Sequence, residues 1–82
     1  MKPAIPLTRD FQTDSLLVIN QHGKIRRIYT PFKVLAISSI GTLTKNTWVF
    51  VQKIALNEKH QLLYVIDRKQ YLYESFRIYI NF

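Results

Sequence analysis

Few side chains in this sequence could carry chemistry, and those few stand apart. His22 and His60 each close a polar turn sequence, Asn20-Gln21-His22-Gly23 and Asn57-Glu58-Lys59-His60, where a solvated turn histidine is the expected outcome. Ser15, Ser38, Ser39 and Ser75 are candidate nucleophiles by type, yet none sits in a glycine-flanked nucleophile elbow. Acid–base work needs two placed carboxylates. Asp10 and Asp14 lie near each other in a segment without periodicity, Asp67 reads as a turn residue and Glu74 as a surface charge. A metal centre needs three or four convergent ligands, and this chain has no cysteine, two histidines and five dispersed acids. Gly23 and Gly41 stand alone, so no glycine-rich phosphate cradle is present. The reading is therefore of a non-enzyme, with no cofactor, no metal and no evident small-molecule substrate.

Basic and aromatic residues give a stronger signal. Lys24, Arg26, Arg27 and Lys33 fall within one hairpin and the segment after it, with Tyr29 among them, and Arg68-Lys69 form a second basic pair in a turn. The formal charge is +7 and the sequence pI about 10.0, which permits contact with polyanions. Tyr29, Tyr71, Tyr73 and Tyr79 are read as exposed planes, and stacking a base on such a plane is worth ~1–3 kcal/mol. Strand geometry argues against a single stripe, because Lys24 and Arg26 share one face while Ile25 and Arg27 share the other. The charge is also spread. Residues 1–33 carry six basic and two acidic groups, and residues 34–82 carry six and three. Basic side chains on strands also serve to block edge-to-edge aggregation, and tyrosines make good cross-strand pairs. A small basic nucleic-acid-binding protein is the alternative expectation.

The preferred one comes from the apolar residues. They make up 48% of a chain of 82 residues, more than one small core readily buries. Leu16 and Val18 oppose Leu17 and Ile19 by strand parity, as Trp48 and Phe50 oppose Val49 and Val51. Each pairing leaves an apolar face to account for, and a surplus apolar face marks a partner or self-association surface. The expected function is a binding or scaffolding module making protein–protein contacts, with an unknown protein or a second copy as partner.

The elements that must position these residues are strands. Residues 1–13 contain Pro3 and Pro6 and no periodicity, so they are expected to be an extended arm, pinned by Leu7 and Phe11. Residues 14–30 read as a β-hairpin, SLLVI and KIRRIY, turning at Gly23. Pro31 ends it. Phe32–Ser38 (FKVLAIS) is apolar on both parities, which predicts burial on two faces. Ser39–Asn46 is the longest internal loop. Trp48–Leu56 is expected to be one long strand with a bulge near Gln52-Lys53 that brings Val49, Val51 and Ile54 or Leu56 to one side. Gln61–Asp67, a tight turn at 67–70 and Tyr71–Tyr73 follow. After a possible helical turn at Glu74–Phe76, a final strand alternates Phe76, Ile78, Ile80 and Phe82 against Arg77, Tyr79 and Asn81.

This succession from Phe32 to Phe82, a strand, a long polar loop, a long bent strand, two short hairpin-linked strands, a one-turn break and a closing strand, is similar in outline to SH3-like small barrels. The resemblance rests on element lengths and carries no ligand, since the long loop lacks the acidic cluster of peptide-binding SH3 domains. The expected fold is thus all-β: a five-stranded antiparallel SH3-like barrel over 31–82, with an added N-terminal β-hairpin and arm, as one domain over 1–82. No signal peptide and no membrane span is read from the chain, and a cytoplasmic protein is the expectation.

Overall fold

The computed structural model describes residues 2–80, with residues 8–11 described by their backbone alone. Its strands are all antiparallel and form three sheets of three. Strands β1 (Ile5–Gln12), β2 (Ser15–Ile19) and β3 (Ile25–Tyr29) make the first sheet, in the order β1-β2-β3. Strands β4 (Phe32–Ala36), β5 (Trp48–Val51) and β9 (Phe76–Arg77) make the second, in the order β5-β4-β9. The third is β6 (Lys53–Leu56), β7 (Leu62–Ile66) and β8 (Lys69–Leu72), ordered β6-β7-β8, and a 3-10 turn at Tyr73–Ser75 leads from β8 into β9. The all-β expectation holds.

Two details differ from the sequence expectation. The N-terminal segment is no loose arm, because Ile5–Gln12 pair with β2 from Ile5↔Ile19 to Gln12↔Ser15, through an irregularity between Leu7 and Phe11. Pro6 had argued against a strand, but β1 lies at the edge of its sheet, where a residue with no N–H to donate is tolerated. The side chain of Phe11, expected to pin this segment, lies outside the described residues, as do Asn81 and Phe82.

The second difference concerns closure. No closed barrel is found among the described residues. Trp48–Leu56 is parted at Gln52, whose N–H donates to the Val65 carbonyl at 2.8 Å, so β5 joins one sheet and β6 another. Val51 and Ile54, on opposite parities, are both buried as a result, and Val49 is half-buried on the same side. Leu56 stays 37% exposed. A cylinder would need β8 to pair with β9. The 3-10 turn intervenes instead, and β9 pairs with β4 through only Leu35↔Arg77 and Ala36↔Phe76. Ile78 then turns to the other end of the chain, accepting from Ala4 N–H at 2.7 Å. This change of partner shortens the expected seven-residue final strand.

One apolar cluster joins all three sheets. Leu16 and Val18 come from the first, Val34, Val51 and Phe76 from the second, and Ile54, Leu62 and Tyr64 from the third. A backbone bond from Ile54 N–H to Thr13 O, 2.8 Å, ties the β1–β2 turn to β6. In β4, Phe32, Val34 and Ala36 are inside and Lys33 outside with half-buried Leu35, so this strand buries one face rather than the two its composition suggested.

Turn chemistry recurs. Asn20 Oδ1 accepts from the N–H of His22 and of Lys24, and Asn57 Oδ1 from the N–H of Lys59 and of Gln61. Such Asx turns let a side chain hold the loop in place of the ladder. The β7–β8 turn is less well matched. Asp67 and Arg68 have φ of 51° and 67°, the mirror-image turn that favours glycine at its second position. A β-carbon in the left-handed region costs roughly 1–2 kcal/mol, partly offset by the extra unfolded-state freedom of glycine. Arg68→Gly is therefore expected to raise stability by about 0.5–1 kcal/mol, measured by urea denaturation. A loss of stability would mean that the arginine side chain contributes something its exposed position does not suggest.

Candidate interaction surfaces

The first sheet turns one face inward and leaves the other outside. Cross-strand partners in an antiparallel sheet share a face, so the registers sort every residue. Leu16↔Ile28 and Val18↔Arg26 belong to the inner side, where Leu16 and Val18 are wholly buried. Ile5↔Ile19↔Ile25 and Leu7↔Leu17↔Arg27 form two rows on the outer side, with Tyr29 opposite Ser15. Ile5 is 62% exposed, Ile25 58% and Tyr29 65%, and Leu7, Leu17 and Ile19 are half-buried by their neighbours. The result is a sheet face of aliphatic side chains open to solvent. Arg27 lies at its edge row, and its Nη1 donates to the buried Ser15 hydroxyl at 2.9 Å.

A second, smaller face lies outside the β5-β4-β9 sheet. Lys33↔Phe50 and Leu35↔Trp48 are paired across β4 and β5. Trp48 is 46% and Phe50 57% exposed. The Lys33 ammonium stands 5.0 Å from the centre of the Trp48 ring, a cation–π contact, and Tyr79 meets Trp48 edge-on at 6.1 Å. Arg77 pairs with Leu35, but its Nη1 is drawn back to the carbonyls of Glu74 and Phe76, each at 2.9 Å. Lys33 is therefore the cation that dresses the aromatic pair.

The residues singled out from the sequence are spread over all three sheets. Lys24 leads into β3, Arg26, Arg27 and Tyr29 lie on it with Arg26 on the opposite side from the other two, Lys33 is on β4, and Arg68 and Lys69 are at the β7–β8 turn. Three of the four tyrosines read as exposed planes are covered: Tyr71 is buried against Phe76, ring centres 6.0 Å apart, and Tyr73 and Tyr79 are half-buried. Tyr71 turns inward because it pairs with Tyr64 across β7 and β8. His22 and His60 are exposed, and no group of three metal-ligating side chains is found among the described residues. No helix among them is long and apolar enough to cross a membrane. What the sequence reading passed over is Ile5 and Leu7 as members of an outer face. Their alternation about Pro6 was the available signal, hidden by two prolines in the same segment. Comparison with known proteins finds no matching family model, no matching curated protein and no matching solved structure.

Proposed function

We propose that this protein is a non-catalytic binding module that contacts a protein partner through the outer face of its first sheet. The observation that supports this reading is the isoleucine row Ile5–Ile19–Ile25, whose two ends are more than half exposed. An aliphatic face of this kind is an unusual feature to leave in water. The charge selects the partner. The chain carries +7, Lys24, Arg26 and Arg27 lie on or beside β3, and no described side chain on the face is acidic. A second copy would bring like charges together, whereas an apolar segment flanked by acids would match both features.

A photoreactive residue at position 25 is expected to give one discrete protein adduct in cells, and the same residue at Lys45, in the Ser39–Asn46 loop, none. The adduct should disappear when Ile5→Lys is added, while thermal stability changes by less than about 1 kcal/mol because the site is exposed. Equal labelling from both positions, or a chain that sediments as a dimer through this face, would sink the acidic-partner reading.

One observation favours a second reading, contact with single-stranded nucleic acid: Lys33 set over the exposed Trp48 beside Phe50. Trp48 is the one tryptophan of the chain, so its fluorescence reports this face alone. Titration with oligothymidylate at 50 and 200 mM salt, roughly bracketing the physiological range, should show quenching that weakens steeply with salt if phosphates are neutralised. The dispersal of the other basic groups argues for a flat, weak response.

The SH3-like likeness belongs to the same proposal. What supports it is the order of elements from Phe32 to Ile78, including the bend at Gln52 and the 3-10 turn before β9. On this reading the module is an opened relative of such barrels, with the first sheet laid against its core.

A further inference from the structure

A cleft of about 310 Å³ lies between residues 3–6 and the segment that runs from the 3-10 turn through β9. Its volume is at the lower end of the range for small-ligand sites. Pro3, Pro6, Phe76 and Ile78 give it apolar walls, and Tyr64, Tyr73, Glu74 and Arg77 line it as well. Tyr64 is the informative member. The residue is 1% exposed, and its hydroxyl has no hydrogen-bond partner among the described residues. Among the described residues no wholly buried polar side-chain atom lacks a partner, so the hydroxyl keeps some access to solvent, and the cleft is an opening that Tyr64 lines. A buried phenol left unpaired is costly unless something in the cleft, water or ligand, completes it.

The other polar groups there are mostly donors. Tyr73 stands close enough to Tyr64 to oppose its ionisation. Arg77 is fixed at the cleft by the two bonds from Nη1 to main-chain carbonyls, with Nε and Nη2 unengaged among the described residues. Glu74 is exposed, where solvent screens its charge. Two tyrosines and an arginine lining a cleft with apolar walls suit a ligand with an anionic acceptor at one end and an apolar body.

We propose that this cleft binds a small carboxylic acid with an aromatic or branched apolar body, its carboxylate accepting from the Tyr64 hydroxyl and the Arg77 guanidinium and its body lying against Pro3, Pro6, Phe76 and Ile78. Ile5 also lines the cleft, so the site adjoins the outer face of the first sheet; Tyr64 and Arg77, on which its test turns, lie on the third and second sheets and not on that face.

The test uses the full chain labelled with ¹⁵N and titrated with benzoate and 3-phenylpropionate, with benzamide as the uncharged counterpart. Saturable amide shifts are expected at Ala4, Glu74, Arg77 and Ile78, with roughly millimolar affinity for so small a probe. Tyr64→Phe keeps the ring and removes the hydroxyl, so it should fold and bind benzoate about tenfold more weakly. Arg77→Gln should weaken benzoate by a similar factor and leave benzamide nearly unchanged, and it serves where Tyr64→Phe proves unstable. Shifts that do not saturate or that scatter over the surface would overturn the site. Benzamide binding as tightly as benzoate, or both variants binding benzoate like the parent chain, would overturn the carboxylate assignment.

Discussion

Tyr64→Ala is expected to cost about 3–5 kcal/mol and to leave much of the protein unfolded, while Tyr64→Phe costs less than about 1 kcal/mol. The difference lies in what each removes. The Tyr64 ring is buried on the middle strand of the third sheet, edge-on to Phe32 at 5.9 Å and tilted against Phe76 at 5.8 Å. It therefore joins the second sheet to the third where no ladder does. Alanine would forfeit both ring contacts and leave a cavity between the sheets. A domain of this length has only ~4–12 kcal/mol of total stability, so such a loss is a large fraction of it. Phenylalanine keeps the rings in place and deletes a hydroxyl that has no protein partner to lose. Urea denaturation followed by far-ultraviolet circular dichroism measures both. A Tyr64→Ala loss below about 1.5 kcal/mol would mean that the sheets are held together elsewhere.

The same side chain sets an alkaline limit. Burial, with Tyr73 nearby, pushes the Tyr64 phenol well above its ordinary ionisation range. The folded state thus holds this proton more tightly than the unfolded chain does. Stability is unaffected below the ordinary tyrosine value of about 10 and falls as pH rises above it. Tyr64→Phe should remove this share of the decline, so the parent chain and the variant should diverge between roughly pH 9 and 11. Parallel curves would show that the phenol ionises as freely in the folded protein as in the unfolded one.

The readings that succeeded were the local ones. The hairpin over Ser15–Tyr29, its turn at Gly23 and the irregularity near Gln52-Lys53, expected as a bulge in one strand and found as the division between β5 and β6, follow from alternation, glycine and a two-sided apolar strand, all of which act over a few residues. The pairing of the N-terminal segment and the open course of the sheets were not legible, for a shared reason that is not local. Whether Ile5–Gln12 is free or paired depends on β2 having an open edge, and whether a barrel closes depends on where Ile78 finds its partner. That partner is Ala4, at the far end of the chain, and no window around either residue contains the information. The candidate surfaces divide in the same way. Leu16/Val18 against Leu17/Ile19 posed a question that parity alone could raise but not decide. Neither Lys33 over Trp48 nor Tyr64 lining one cleft with residues 3–6 could be read before the sheets were assembled.

That undecided parity gives the second large expected effect. Leu16→Ala is expected to cost about 2–5 kcal/mol, in the range for a leucine lost from a packed core, and Leu17→Ala less than about 1 kcal/mol. The two residues are adjacent and chemically identical, so strand propensity and unfolded-state effects nearly cancel in the comparison. What remains is the side of the sheet. Leu16 is fully buried in the common cluster, opposite Ile28, whereas Leu17 is half-buried between Leu7 and Arg27 on the outer face. A one-residue slip of β2 would exchange their roles, so equal losses or a reversed order would show that the register is wrong. It would also remove the basis for the outer face, since Ile5, Ile19 and Ile25 owe their place on one side of the sheet to that register. If the order holds, Leu17→Ala becomes the useful variant: it trims the proposed contact surface without touching the core, so a weakened partner complex in that background reports on the surface and not on folding.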